Sequence, residues 1–190
     1  MKKYIPNILT IIRILLVPLF IWFVFISTTQ NHYVIATILF ILACISDYFD
    51  GMLARQYRVI SNFGKIMDPL ADKILVISAL AALTFKIEFV SIWVLLIIVI
   101  REVAVSILRA YYSKKKIYIA ANIWGKLKTV FQMVGIITAL TYFSFFQSFR
   151  QIFAPHHSTI TIIFKIFFWI VGIITIISGI TYFKKRNNDA

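Results

Sequence analysis

Long apolar stretches separated by short polar clusters run along almost the whole chain. Apolar and polar positions do not alternate as they would in a half-buried strand, and they do not form the narrow stripe of a surface helix. They fill windows of about 20 residues, the length a helix needs to cross the hydrocarbon core of a bilayer. Six windows fall at roughly 8–27, 33–54, 66–86, 89–112, 120–146 and 159–183. The pattern predicts an all-α, polytopic membrane protein with six transmembrane helices, residues 1–190 forming one membrane domain. No low-complexity stretch or internal repeat interrupts it.

Composition agrees: 61% hydrophobic residues and a mean hydropathy of +0.90 exclude a soluble globule. Charge sets the orientation. Lys and Arg gather at Lys2 and Lys3, at Arg55, Arg58 and Lys65, at Lys114, Lys115 and Lys116, and at Lys184, Lys185 and Arg186. The opposite turns, near 28–32, 86–88 and 147–158, carry only Lys86, Glu88 and Arg150. The positive-inside rule puts the first set, and with it both termini, on the cytoplasmic side of a cell membrane. The net charge of +13 then reads as anchoring to anionic headgroups. A nucleic-acid surface is excluded, because the cations abut membrane spans.

The lone Cys44, inside an apolar run, reads as a packing residue. His32, His156 and His157 fall in far-side turns and read as solvated. Arg13 interrupts the first apolar run and no small-x-small cleavage site follows, so the first helix is expected to be retained.

Candidate chemistry sits in one window. The chain has seven acidic residues, and four of them lie in Asp47-x-x-Asp50-Gly51-x-x-Ala54-Arg55 followed by Gly64-x-x-x-Asp68-x-x-x-Asp72. Carboxylates within membrane spans are costly and mark functional sites. Residues three and four apart share a helix face, so Asp47, Asp50, Gly51 and Ala54 line one stripe, and Gly64, Asp68 and Asp72 another. Residues 56–63 are expected to join these as antiparallel neighbours. Pro69 requires that the third helix begin near Asp68 or bend there.

Hard oxygen donors without Cys or His favour Mg²⁺ or Mn²⁺ over zinc. Glycines on the two stripes admit either a ligand or close helix packing. Asp72, furthest along the third helix, is the candidate general base. An ion-transport relay, or a salt-bridge network with Arg55 and Lys73, is the competing reading.

At every fixed position the window resembles the signature of the CDP-alcohol phosphotransferases, membrane enzymes of phospholipid synthesis. The resemblance implies a six-helix fold, usually dimeric, that moves a phospho-alcohol group from a CDP-linked donor to an acceptor hydroxyl and releases CMP. By the same resemblance, Asp47, Asp50, Asp68 and Asp72 hold two divalent cations, with Asp72 also the base. Asp47, Gly51, Ala54, Arg55 and Gly64 contact the cytidine diphosphate, and Thr10 joins them.

Pro6-Asn7-x-x-Thr10-x-x-Arg13-x-x-x-x-Pro18, Arg101-Glu102-x-x-x-Ser106-x-x-Arg109 and Gly125-Lys126-x-Lys128-Thr129 are similar to segments of the phosphatidylglycerophosphate synthase branch. That likeness implies CDP-diacylglycerol as donor and glycerol 3-phosphate as acceptor. Arg101 interrupts an apolar run and needs an anion, which a phosphate or the neighbouring Glu102 can supply. Arg101, Arg109, Lys126, Lys128 and Arg13 are the candidate phosphate ligands, against plain membrane anchoring for Arg109, Lys126 and Lys128 and a bulk-lipid headgroup for Arg13. Other acceptors (serine, inositol phosphate) and a cation transporter remain the alternatives.

Overall fold

The computed structural model describes residues 5–57, 62–114 and 123–188, with side chains at 12–49, 52, 70–108, 110–112 and 123–180. Every described element is helical. In chain order they are α1 (Ile5–Ile21), a π-helical turn (Trp22–Ile26), α2 (His32–Tyr57), α3 (Asn62–Phe85), α4 (Ile92–Lys114), α5 (Ile123–Ser148) and α6 (Arg150–Asn188). Among the described residues, His32–Phe49, Ile123–Ser148 and Arg150–Ile180 are long and apolar enough to cross a membrane, and Ile12–Ile26 is a shorter apolar stretch. Large aliphatic side chains such as Leu15, Ile100, Ile107 and Ile163 stand exposed. In water this would be a liability, but against lipid it costs nothing.

The chain divides into two compact units, Met1–Ala82 with Leu140–Ala154, and Leu83–Ala139 with Pro155–Ala190. In the first, α1 packs on α2. Ala36, Phe40 and Ala43 form one buried stripe of α2, and Phe20 of α1 meets Phe40 with ring centroids 5.6 Å apart. Small residues on such a stripe let two membrane helices approach closely. The start of α2 is tied to the end of α5 by hydroxyls: Thr37 Oγ1 lies 2.8 Å from Ser144 Oγ, and Ser144 Oγ donates to the Tyr33 carbonyl at 3.0 Å.

In the second unit, α4 and α6 run side by side. A Cβ on Gly172 would meet Val94, and one on Gly179 would meet Arg101, so contacts recur seven residues on along both helices. The two numberings rise together, which makes α4 and α6 parallel. Gly135 of α5 admits an even closer approach, since a Cβ there would lie 2.5 Å from Phe167. Phe89 and Phe164 stack at 4.9 Å near the other end.

Two boundaries differ from those the pattern predicts. The segment 147–158 is not an open turn. α6 begins at Arg150, and only Phe149 separates it from α5. Backbone bonds carry the chain through: Phe149 N–H reaches the Phe145 carbonyl at 2.8 Å, and Ile152 N–H reaches the Phe149 carbonyl at 3.0 Å. Pro155 lies near the helix start, so His156 and His157 are helical, and the His157 ring lies 6.0 Å from that of Phe89. α3 likewise begins at Asn62 and continues through Pro69. The link 58–61 lies outside the described residues.

Candidate functional site

The acidic window lies on α2 and α3 of the first unit. The backbone puts Asp47, Asp50, Gly51 and Ala54 on one face of α2, and Gly64, Asp68 and Asp72 on one face of α3. The side chains of Asp50, Gly51, Ala54, Arg55, Gly64 and Asp68, and of Thr10 in α1, lie outside the described ones. Asp47 and Asp72 are described. Asp47 is 49% exposed and Asp72 is half-buried.

α1 supplies a counter-ion. Arg13 is fully buried, and its Nη1 lies 3.0 Å from Asp47 Oδ1. Sequence reasoning offered Arg13 as a ligand of substrate or bulk-lipid phosphate, and in the structure it pairs with an aspartate of the acidic window. A guanidinium inside a membrane helix needs such a partner, because an uncompensated buried charge is expensive. Cys44, half-buried and three residues before Asp47, is within electrostatic reach of Asp47, Asp72 and Arg13 together. The Arg13–Asp47 pair joins α1 to α2, and residues of α1 and α3 line one cavity.

Carboxylate oxygens are the donors a hard divalent cation takes, and among the described residues no three such side chains come together, the side chains of Asp50 and Asp68 lying outside them. The cavity shared by α1 and α3 is apolar, with a volume of about 420 Å³. Leu70, Ala71 and Ile74, which flank Asp72 in α3, form one wall, and Ile14, Pro18 and Trp22 another.

A basic cluster occupies the second unit. Arg101 Nη1 donates to Glu102 Oε1 at 3.0 Å, and Lys128 Nζ of α5 donates to the same oxygen. Arg101 Nη2 donates to Ser178 Oγ of α6 at 2.7 Å. The side chains of Arg101, Glu102 and Lys128 are only 13%, 20% and 4% exposed, so water screens them weakly. Arg101 Nε–H is buried with no partner among the described residues.

The candidates on these helices divide. Arg101 and Lys128 come together, Lys126 faces outward, and the side chain of Arg109 lies outside the described ones. Sequence reasoning noted Glu102 only as a competing partner for Arg101 and left Ser178 and Gly179 in an anonymous span. The available signal was Thr175, Ser178 and Gly179, which interrupt the apolar run at one-turn spacing.

Apolar helices with large aliphatic side chains exposed, three of them among the described residues long enough to cross a bilayer, are those of a membrane protein. The CDP-alcohol phosphatidyltransferase profile matches residues 3–177, and the chain belongs to that family. It is 39% identical over 165 residues to the CDP-diacylglycerol–glycerol-3-phosphate 3-phosphatidyltransferase of Mycoplasma pneumoniae, covering 76% of this chain and 70% of that one. The enzymes of the same name from Rickettsia typhi (35% over 185 residues, 96% of each chain) and Bacillus subtilis (31% over 192 residues, 95% and 94%) match nearly end to end.

Proposed function

We propose that this protein transfers the phosphatidyl group of CDP-diacylglycerol to glycerol 3-phosphate, giving phosphatidylglycerophosphate and CMP. Family membership and the shared name of its relatives support the reaction. The observation that carries the acceptor is the Arg101 guanidinium. It is bonded to a neutral hydroxyl and to a carboxylate oxygen that Lys128 shares, and a buried N–H is left over. A forked cation in that state suits a phosphate. An acceptor with no anionic group, such as inositol, has no use for it.

In this reading the chain spans the cytoplasmic membrane six times as one domain, as a homodimer, with both termini and the active site on the cytoplasmic side. The cytidine diphosphate lies against Asp47, Gly51, Ala54, Arg55, Gly64 and Thr10, and a donor acyl chain lies in the apolar cavity lined by Leu70 and Ile74. Two divalent cations, Mg²⁺ or Mn²⁺, held by Asp47, Asp50, Asp68 and Asp72, would neutralise the donor pyrophosphate. Arg101, Arg109 and Lys128 hold the acceptor phosphate. Arg13 holds Asp47 in place through their ion pair.

Asp72 takes the proton from the C1 hydroxyl of the acceptor. That oxygen bonds to the lipid-side phosphorus while the phosphorus–oxygen bond to CMP breaks, and the proton passes on to solvent. The product returns to the cytoplasmic leaflet.

The test is CMP release by purified protein in mixed micelles with CDP-diacylglycerol and Mg²⁺ or Mn²⁺. Glycerol 3-phosphate, serine, inositol and inositol phosphate are offered separately, each with a chelator control. Chelator-sensitive release with glycerol 3-phosphate alone is expected. Release only with another acceptor would replace the acceptor assignment, and cation flux without CMP release would favour a transporter. Asp72→Asn is expected to keep donor binding and lose turnover, whereas Asp50→Asn weakens donor binding and metal dependence together.

A further inference from the structure

We infer that Ser178, on α6, is a positioning residue for the acceptor phosphate, acting through Arg101. The inference rests on the proposed reaction and goes beyond it, because it brings the last helix into the acceptor site.

Arg101 has a long side chain that must be held in one rotamer to receive a phosphate. Its partner Glu102 is the next residue in sequence, and neighbours at that spacing do not face each other on a helix. A bond to Glu102 alone leaves the guanidinium plane free to swing, and arginine carries roughly 2 kcal/mol of rotamer entropy. The second bond, from Nη2 to Ser178 Oγ at 2.7 Å, comes from another helix and fixes that plane.

The fold is arranged to make this bond. Val171, Gly172, Thr175, Ser178 and Gly179 form the buried stripe of α6. Gly172 and Gly179 bring that stripe against Val94 and Arg101 of α4. Gly125 of α5 closes the third side, since a Cβ there would lie 3.6 Å from Ser178 Oγ and 3.8 Å from Arg101 Nη2. Ser178 and Thr175 are both fully buried, yet Thr175 Oγ1 returns to the Val171 carbonyl of its own helix, and it is Ser178 that reaches α4.

The choice of a hydroxyl also matters. A carboxylate at this position would compete with the phosphate for the guanidinium. A serine orients the fork without adding a second carboxylate to that of Glu102, and three of the five N–H groups stay outside these two bonds.

The test is steady-state CMP release by the full-length protein in mixed micelles, with each substrate varied in turn. Ser178→Ala is expected to raise the KM for glycerol 3-phosphate on the order of tenfold, with kcat and the KM for CDP-diacylglycerol within about twofold. Ser178→Thr, which keeps the hydroxyl, is expected to recover the acceptor KM. In an Arg101→Lys background the Ser178→Ala effect should disappear, because its target is gone.

An unchanged acceptor KM in active Ser178→Ala overturns the inference, as does a parallel rise in both KM values with earlier melting. Should Ser178→Ala not fold, Ser178→Cys takes its place, with the same split between the two KM values expected and an unchanged acceptor KM overturning it. Wild-type protein inactive with glycerol 3-phosphate but active with another acceptor would overturn the proposed reaction and this inference together. Wild-type activity with unaltered variant kinetics overturns the inference alone.

Discussion

Arg13 and Asp47 form an ion pair with one end in the protein interior and the other at its surface: the guanidinium is fully buried, and the carboxylate 3.0 Å away is 49% exposed. The pair joins α1 to the acidic face of α2. Its asymmetry predicts unequal mutants. Asp47→Asn leaves a buried cation short of its counter-ion, a loss in the range of about 3–5 kcal/mol. Arg13→Met leaves a half-exposed carboxylate and is expected to cost less. Thermal unfolding of both variants in the same detergent checks the order, and equal loss would mean the pair does not set the stability of α1 on α2.

Glu102 is the shared acceptor of Arg101 and Lys128. Glu102→Gln removes the carboxylate from between two cations that are only 13% and 4% exposed, and is expected to lower the melting temperature markedly. Adding Lys128→Met removes one of those cations and should restore part of the loss, with a coupling of about 1–3 kcal/mol in a double-mutant cycle. Additive losses would show that the two residues act separately.

Gln132 lies one turn beyond Lys128 on α5, 2% exposed, and its Nε2 has no hydrogen-bond partner among the described residues. A buried amide left unsatisfied costs about 1–3 kcal/mol. Gln132→Met keeps the shape and removes the polar group, so the melting temperature is expected to rise. A fall would reveal a bound water or ligand that the amide serves.

Glu88 turns the chain between α3 and α4 with φ at 64°, in the left-handed region. That conformation returns the N–H groups of Phe89 and Val90 to the Leu83 carbonyl, at 2.9 and 3.2 Å. A side chain there costs roughly 1–2 kcal/mol that glycine avoids. Glu88→Gly is therefore expected to stabilise the protein without altering activity, as melting and CMP-release measurements would show. Destabilisation would mean that the glutamate side chain holds the turn.

Much of this architecture was legible in the chain. A run of about 20 apolar residues becomes a helix in lipid whatever its neighbours do, because its backbone must satisfy itself internally. The acidic window was legible for a related reason, since helical spacing alone puts Asp47 with Asp50, and Asp68 with Asp72, on common faces. Helix ends were less so. Residues 147–158 read as a turn between two apolar windows, yet backbone bonds to the last turn of α5 lead straight into a helix from Arg150.

What the sequence by itself determined is therefore local: helices, their apolar faces and the acids that share a turn. Tertiary structure decided which distant groups meet. Arg13 fell to Asp47, Glu102 to both Arg101 and Lys128, and Ser178, 77 residues away, to Arg101. These pairings depend on how far each helix rotates and how closely its glycines let a neighbour approach. Residue spacing along one strand of sequence carries no record of either, because both are set only when side chains from separate helices compete for the same space.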